Sequence, residues 1–220
     1  QLEKAAMAAV KDGMKYLHAT QLDNQSDAPD FCPATNINAL LVKPKGFGED
    51  NDPNNNSVVI RLNYNDQTFL FTGDCETEEE ELLLDDPNTK PLLSANVFKS
   101  PHHGSDTSSS KDFLAAVHPT MFIVSAGAKA VSTNAGYRHP RAVTIQRYKE
   151  YTQANGSADT RTIWVGGPKK NGPDAWSQME INAGIYVTQV DETILLTCDG
   201  KTTTKAKESG LKAHLKGFQK

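Results

Sequence analysis

Residues 97–105 read Val-Phe-Lys-Ser-Pro-His-His-Gly-Ser, a brief apolar segment that runs into a polar turn. Val97 and Phe98 predict a short strand, and two histidines follow it directly. Neutral imidazole is the commonest side-chain ligand of transition metals, so this turn is a candidate metal site. A histidine pair in a loop is also a common solvent-exposed feature, and the interpretation therefore needs support from the rest of the chain.

Two further segments place polar side chains at the end of an apolar stretch. Phe69-Leu-Phe-Thr-Gly-Asp74 predicts a strand that stops at Gly73, where glycine lets the backbone turn and present Asp74 at the sheet edge. Tyr137-Arg-His-Pro140 lies between Ser125-Ala-Gly127 and a predicted helix. Carboxylate together with imidazole suits zinc or manganese, so Asp74 and His139 join the histidine pair as candidates. We interpret His18, His118 and His214 as structural or surface residues.

Composition limits the classes of function. The 220 residues are 37% hydrophobic and 23% charged, with a net charge of −4. The last twenty residues hold six Lys and one Glu, so residues 1–200 carry −9, which disfavours a general nucleic-acid surface. We interpret the basic tail, residues 201–220, as a solvated end or as an arm that attracts phosphate.

Cysteine usage and hydropathy exclude other classes. Cys32, Cys75 and Cys198 form no CxxC pair, which makes a disulfide framework or a structural zinc knuckle improbable. No stretch approaches the roughly 18 consecutive apolar residues that a membrane span requires. These features leave the compartment open.

The pattern of apolar residues predicts an alternation of helices and strands, which indicates an α/β layered domain. Asn65-Asp66 is typical of a tight hairpin turn between strands Ser57–Tyr64 and Gln67–Thr72. The acidic run from Glu76 to Asp86 predicts a helix with a solvated acidic face. The remaining predicted elements are helices over 1–20, 111–117 and 141–152, and strands over 38–44, 121–125, 161–165, 184–187 and 193–197.

Taken in order, these motifs resemble the metallo-β-lactamase superfamily, and within it the ComEC-type hydrolase domain of bacterial DNA-uptake channels. The resemblance rests on Asn56-Ser57, the Thr-Gly-Asp74 strand end, Pro-His-His-Gly-Ser105, Ser125-Ala-Gly127 and Asn134 with the segment that ends at Pro140. It covers roughly residues 37–200. It implies a four-layer αββα sandwich, present here as its C-terminal portion over residues 1–200. Residues 1–36 would be a leading helix and loop, and residues 166–183 a loop insert.

The resemblance also implies a chemistry. It predicts a hydrolase, a nuclease or phosphodiesterase, that holds two divalent metal ions, zinc or alternatively manganese. The enzyme would cleave phosphodiester bonds of nucleic acid or of a small phosphodiester substrate with a metal-activated water. Asp74 would bridge the metals. One histidine of the pair His102 and His103 would be a ligand, and we favour His103. His139, with Ser105 and Asn134, would contact substrate phosphate or stabilise negative charge, and Arg138 would add a fixed positive charge.

Two departures from the family pattern matter. The family's HxHxDH motif, which supplies most of the metal ligands, does not occur in these 220 residues, and Arg138 stands where relatives usually have glycine. We therefore expect the chain to begin within the domain and to need the missing N-terminal half as a partner. Two alternatives stay open, a hydrolase of a small ester, lactone or thioester on the same fold, and a non-catalytic half-domain that acts as a binding module.

Overall fold

The computed structural model describes residues 37–46, 51–152, 160–168 and 175–206. The helix predicted over residues 1–20, the loop predicted after it and residues 207–220 lie outside this part of the chain.

The described chain is a mixed α/β fold, as the sequence predicted at the level of fold class. Five helices are α1 (Thr77–Asp85), α2 (Lys111–Val117), α3 (Asn134–Tyr137), α4 (Ala142–Thr152) and α5 (Thr188–Asp191). Ten strands are β1 (Ile37–Val42), β2 (Val59–Tyr64), β3 (Gln67–Phe71), β4 (Val97–Lys99), β5 (Met121–Val124), β6 (Arg161–Gly166), β7 (Trp176–Ile181), β8 (Ile185–Val187), β9 (Leu196–Cys198) and β10 (Thr203–Lys205). Short 3₁₀ helices span Pro53–Asn56, Lys90–Leu92 and Pro101–Gly104.

The largest sheet has six strands in the order β1-β2-β3-β4-β5-β8. The pairs β1–β2 and β2–β3 are antiparallel, whereas β3–β4, β4–β5 and β5–β8 are parallel. The predicted hairpin is confirmed, with Tyr64 opposite Gln67 and Asn65 in the left-handed region at φ +48°. Because β3, β4 and β5 run parallel, the residues that follow them emerge at one edge of the sheet.

Aromatic residues of β4, β5, α2 and α4 fill the core on one face of this sheet. The ring of Phe98 lies 6.1 Å from the rings of Phe113 and Phe122, and Tyr148 stacks on Phe122 at 4.3 Å. The buried Tyr148 hydroxyl lies 2.6 Å from the hydroxyls of Ser100 and Ser109. The core therefore holds, through hydrogen bonds, the polar segment that contains the histidine pair.

The interpretation of the acidic helix as solvated was wrong for two of its carboxylates. Glu79 and Glu80 of α1 are fully buried. Glu79 accepts a hydrogen bond from the backbone N–H of Ser57, and Glu80 accepts from the N–H groups of Ser109 and Ser110. Burial raises the pKa of Glu80, and these donors oppose the rise. Buried loop N–H groups need acceptors, and the two carboxylates supply them.

Two boundaries also differ from the sequence interpretation. Part of the predicted loop insert, residues 166–183, is the strand β7, which pairs with β6 along its whole length. The strand β10 lies within the predicted basic tail and pairs with β9, so regular structure continues past residue 200. Lys205 of β10 forms an ion pair with Asp191, which anchors the hairpin to α5.

No helix within the described ranges is both long enough and apolar enough to span a bilayer.

The Tyr148 hydroxyl provides a test of the core. Tyr148→Phe removes the group that Ser100 and Ser109 share, and leaving buried hydroxyls with fewer partners costs about 1–3 kcal/mol. We expect urea unfolding to show a loss of that size. Tyr151→Phe, at a half-buried ring against Phe122, is the matched control and should change the unfolding free energy little. Equal effects of the two substitutions would contradict the proposed anchoring.

Candidate active site

The three candidate segments meet at the edge of the sheet where β3, β4 and β5 end. They line a cleft of about 600 Å³, to which Asp74, His102, His103, Asn134, Tyr137 and His139 all contribute. The sequence-predicted residues Asp74, His102, His103 and His139 are therefore brought together in space. The parallel strand order is the cause, because it places three successive strand ends side by side.

The histidine turn has an unusual backbone. His102 and His103 have φ values of 43° and 56°, and Gly104 follows at φ 82°. Non-glycine residues in the left-handed region cost about 1 kcal/mol or more each, and such strain persists only where surrounding contacts impose it. Here the N–H of His102 donates to the carbonyl of Gly73 at 3.1 Å, and the N–H of Arg141 donates to the carbonyl of Gly104 at 2.8 Å. These two bonds tie the three segments of the site together.

His103 and Asp74 form a pair that faces the cleft. Nε2 of His103 lies 3.7 Å from Oδ1 of Asp74. Nδ1 of His103 lies 2.8 Å from the carbonyl oxygen of Ser125, which can only accept, so Nδ1 carries the proton and Nε2 of the neutral ring is free to bind. A backbone carbonyl that orients the far side of the ring is typical of metal-ligating histidine.

The spacing of this pair fits one metal ion. Zinc bonds to histidine nitrogen and carboxylate oxygen are each about 2.0–2.2 Å long, so two ligands of one ion lie within about 4.4 Å of each other. The distance of 3.7 Å satisfies that limit. Within the described ranges, however, no group of three or more His, Cys, Asp or Glu side chains is placed to hold a metal ion. Further ligands would have to come from elsewhere.

His102 has a different partner, which sequence reasoning missed. Its Nδ1 lies 2.6 Å from Oε1 of Glu76, and the same carboxylate oxygen accepts from the Thr107 hydroxyl at 2.8 Å. Glu76 lies two residues after Asp74, and its place in the acidic run concealed its contact with the site. The carboxylate fixes the orientation of the His102 ring at the cleft wall.

His139 is buried in the cleft wall close to both other histidines. Its ring centre lies 5.4 Å from that of His102 and 6.4 Å from that of His103. Burial, followed by the neighbouring histidines, lowers the pKa of His139 from its usual 6.5 to about 4. Its Nδ1 is buried and has no hydrogen-bond partner among the described residues, so the neutral ring keeps unused hydrogen-bonding capacity.

The three predicted substrate-binding residues lie in different places. Asn134 lines the cleft, but its amide is engaged with the backbone: it donates to the His139 carbonyl at 2.8 Å and accepts from the His139 N–H at 2.7 Å. Ser105 is buried, and its hydroxyl lies 2.9 Å from that of Thr107. Arg138 is buried and donates to the carbonyl of Gly167. Ser105 and Arg138 lie outside the cleft lining, and substrate contact by these residues stays a prediction.

Gly166, at the end of β6, sets the position of the His139 segment. A Cβ atom at Gly166 would lie 2.1 Å from the carbonyl oxygen of Arg138, far inside van der Waals contact. The N–H of Gly166 donates to the carbonyl of Pro140 at 2.8 Å. The β6–β7 hairpin therefore supports the histidine from behind through direct backbone contact.

Part of the chain is similar in sequence to known bacterial proteins. No family model matches the chain. It is 31% identical over 99 residues to ComE operon protein 3 of Bacillus subtilis, which is 45% of this chain and 12% of the relative. It is 36% identical over 100 residues to Competence protein ComA of Neisseria gonorrhoeae, 46% of this chain and 14% of the relative.

A third relative is Recombination protein 2 of Haemophilus influenzae, 34% identical over 74 residues, which is 34% of this chain and 9% of that protein. The chain is similar to bacterial competence proteins. This result is consistent with the ComEC-type resemblance. The matched region is only about an eighth of the length of the first two relatives.

The close approach at Gly166 can be tested by alanine substitution. Gly166→Ala forces the Arg138 carbonyl to move and should destabilise the protein by about 1–3 kcal/mol, the usual cost of overpacking a core. Gly136→Ala is the matched control, since nothing lies within 4 Å of its added Cβ. Thermal unfolding of both variants checks this. A Gly166→Ala variant as stable as the control would show that the contact is not tight.

The lowered pKa of His139 predicts a pH dependence of stability. Between about pH 6.5 and pH 4 the unfolded chain binds a proton at residue 139 that the folded chain does not, so this contribution to stability falls as the pH falls. His139→Gln should lose less stability between pH 7 and pH 5 than the wild type does. Urea titrations of both proteins at the two pH values measure the difference. Identical pH dependence would contradict the lowered pKa.

Proposed function

We propose that the protein is a metal-dependent phosphodiesterase of the metallo-β-lactamase type that acts on nucleic acid. The observation that carries the proposal is the Asp74–His103 pair, 3.7 Å apart in a cleft that it shares with His102 and His139. Similarity to competence proteins supports a role in DNA uptake. The fold alone would not choose the reaction, because one fold serves many chemistries.

We further propose the four-layer αββα sandwich for the complete domain. Two observations support it. The candidate site lies at the edge of the mixed sheet where parallel strands end. Ile163 and Ile181 of the β6–β7 hairpin belong to the same core as Phe122 of the large sheet, which suits a second sheet packed against the first. The division into a domain body and a basic tail stays a prediction, with the tail starting no earlier than the end of β10.

The proposed centre contains two divalent ions, zinc or alternatively manganese. When bound, such ions supply an activated water and neutralise charge that develops on a phosphodiester. Asp74 and His103 would hold them, whereas His102, the other ligand that the resemblance implies, does not form a three-ligand group with this pair among the described residues. Because the described residues offer no third ligand placed with this pair, we propose that a segment with the HxHxDH motif, the missing N-terminal half, completes the centre.

The chain's own residues would bind and orient the substrate. His139 is neutral near pH 7 because its pKa is about 4, so its ring N–H can donate a hydrogen bond to a phosphate oxygen. Asn134 holds the backbone of His139 from both sides and thereby fixes the direction of that donor. Glu76 holds the ring of His102, which leaves its other nitrogen to face the cleft.

One alternative has a specific observation in its favour. The lack of a three-ligand cluster among the described residues suits a half-domain that binds without catalysis. Hydrolysis of a small ester, lactone or thioester on the same fold is the other alternative. Substitution of Asp74, assayed on a phosphodiester and on an ester together with bound metal, separates all three.

Asp74→Asn tests the proposal. On the full natural polypeptide with zinc or manganese, the substitution should lower hydrolysis of bis-p-nitrophenyl phosphate by at least about 100-fold, because it removes a ligand charge at the metals. Bound metal, measured by mass spectrometry, should fall as well. The control is His118→Asn, since His118 lies outside the cleft and has φ +50°, a conformation that asparagine tolerates.

Each outcome decides between the candidates. Full turnover by Asp74→Asn would remove Asp74 from the mechanism. Faster hydrolysis of p-nitrophenyl acetate than of the phosphodiester would favour the small-ester alternative. If the wild-type protein binds no metal and hydrolyses neither substrate, the proposal of an enzyme is overturned and the binding module is favoured.

A further inference from the structure

We infer that Tyr137 is a stacking platform for a nucleobase next to the scissile phosphate, which makes single-stranded nucleic acid the substrate class. This inference rests on the proposed phosphodiesterase function. It adds Tyr137 to the substrate-binding residues that the motifs predict.

Tyr137 is an exposed aromatic ring on the wall of the candidate active site. Its exposed fraction is 64%, and it lines the same cleft as Asp74 and His103. The ring is nearly parallel to that of His139, with an interplanar angle of 12° and 5.9 Å between ring centres. His139 in turn lies at 27° to His103, 6.4 Å away. A row of three flat rings therefore leads from the exposed side of the cleft to the Asp74–His103 pair.

The platform is held firmly from below. Tyr137 is the last residue of α3, and Arg138 after it caps the helix in the left-handed conformation with its N–H bonded to the Asn134 carbonyl at 3.0 Å. The buried Arg138 guanidinium donates to the Gly167 carbonyl. A ring presented by an anchored backbone loses little freedom on binding, which favours its use as a contact surface.

An exposed apolar side chain by itself needs no explanation, since such residues are common on protein surfaces. Two features distinguish this one. The ring is parallel to a histidine of the candidate site, and Val131, 57% exposed, lies in the same cleft. A flat apolar surface beside phosphate-binding groups matches a nucleotide, which has a flat base joined to a phosphodiester.

Stacking on an aromatic ring also favours single-stranded over double-stranded nucleic acid. Every base has a π-face, so stacking tolerates any sequence, whereas bases in a duplex are already stacked on both faces. The charge balance leaves little affinity to phosphate contacts: residues 1–200 carry −9, so attraction of phosphates across this body is weak. Stacking is then the contact that gives an oligonucleotide its affinity for the cleft.

Binding without metal tests the inference independently of catalysis. The probe is a labelled oligothymidylate of about ten nucleotides, and its binding is measured by fluorescence anisotropy in EDTA at low salt. Wild type and Tyr137→Phe should have similar dissociation constants. Tyr137→Ala and Tyr137→Leu should bind at least about fivefold more weakly, the usual effect of losing one stacked base. The control Val190→Ala, at a residue 41% exposed but outside the cleft lining, should bind like wild type.

Ligands without an accessible base complete this test. An abasic oligomer and a duplex of the same length should bind wild type more weakly, and Tyr137→Ala should not weaken them further. Unchanged binding of oligothymidylate by Tyr137→Ala would overturn the inference. An equal loss for the abasic oligomer, or no binding of oligothymidylate by wild type, would overturn it as well.

Kinetics on the metal-loaded full polypeptide separate this inference from the proposed function. Thymidine 5′-(p-nitrophenyl phosphate) and methyl p-nitrophenyl phosphate share a leaving group and differ in the base. Tyr137→Ala should lower kcat/KM at least about fivefold for the thymidine ester and leave the methyl ester unchanged. Equal losses on both would overturn the stacking role. If the wild type hydrolyses neither ester, the proposed phosphodiesterase function is overturned. The anisotropy measurements then decide whether Tyr137 stacks on a base.

Discussion

The two backbone hydrogen bonds at the histidine turn, His102 N–H to Gly73 and Arg141 N–H to Gly104, hold the candidate site together. They join three segments that are far apart in sequence and keep two histidines in the left-handed region. Parallel pairing of β3, β4 and β5 makes the bonds possible, because it brings the strand ends to one edge. Together with the contact between His103 Nδ1 and the Ser125 carbonyl, these bonds keep His103 and Asp74 close enough to share one metal ion.

Buried polar groups behind the turn reinforce it. Tyr148 links Ser100 and Ser109, while Glu80 satisfies the N–H groups of Ser109 and Ser110. Such groups cost free energy to bury unless each finds its partner, so they stabilise one arrangement of the loop rather than a family of arrangements. The candidate site is thus supported by a polar network that continues, through Tyr148, into the aromatic core.

Strand ends and turn residues made much of this fold predictable. Asn65-Asp66 predicted the hairpin, and glycine or proline beside Asp74, the histidine pair and His139 indicated which residues would meet. Burial of Glu79 and Glu80 was not predictable, because charge patterning does not reveal which loop N–H groups lack acceptors. The strand β7 was also missed: its neighbourhood is rich in glycine and proline, and its exposed positions carry no periodic signal strong enough to outweigh them.

The backbone contact at Gly166 couples the position of the β6–β7 hairpin to that of the His139 segment. With the Arg138 carbonyl pressed against a position that has no room for a methyl group, neither part can shift without carrying the other along. Residues of the hairpin that contact no substrate therefore influence the position of His139 in the cleft wall. A substitution that moves the hairpin is expected to move His139, even when every residue that lines the cleft is unchanged.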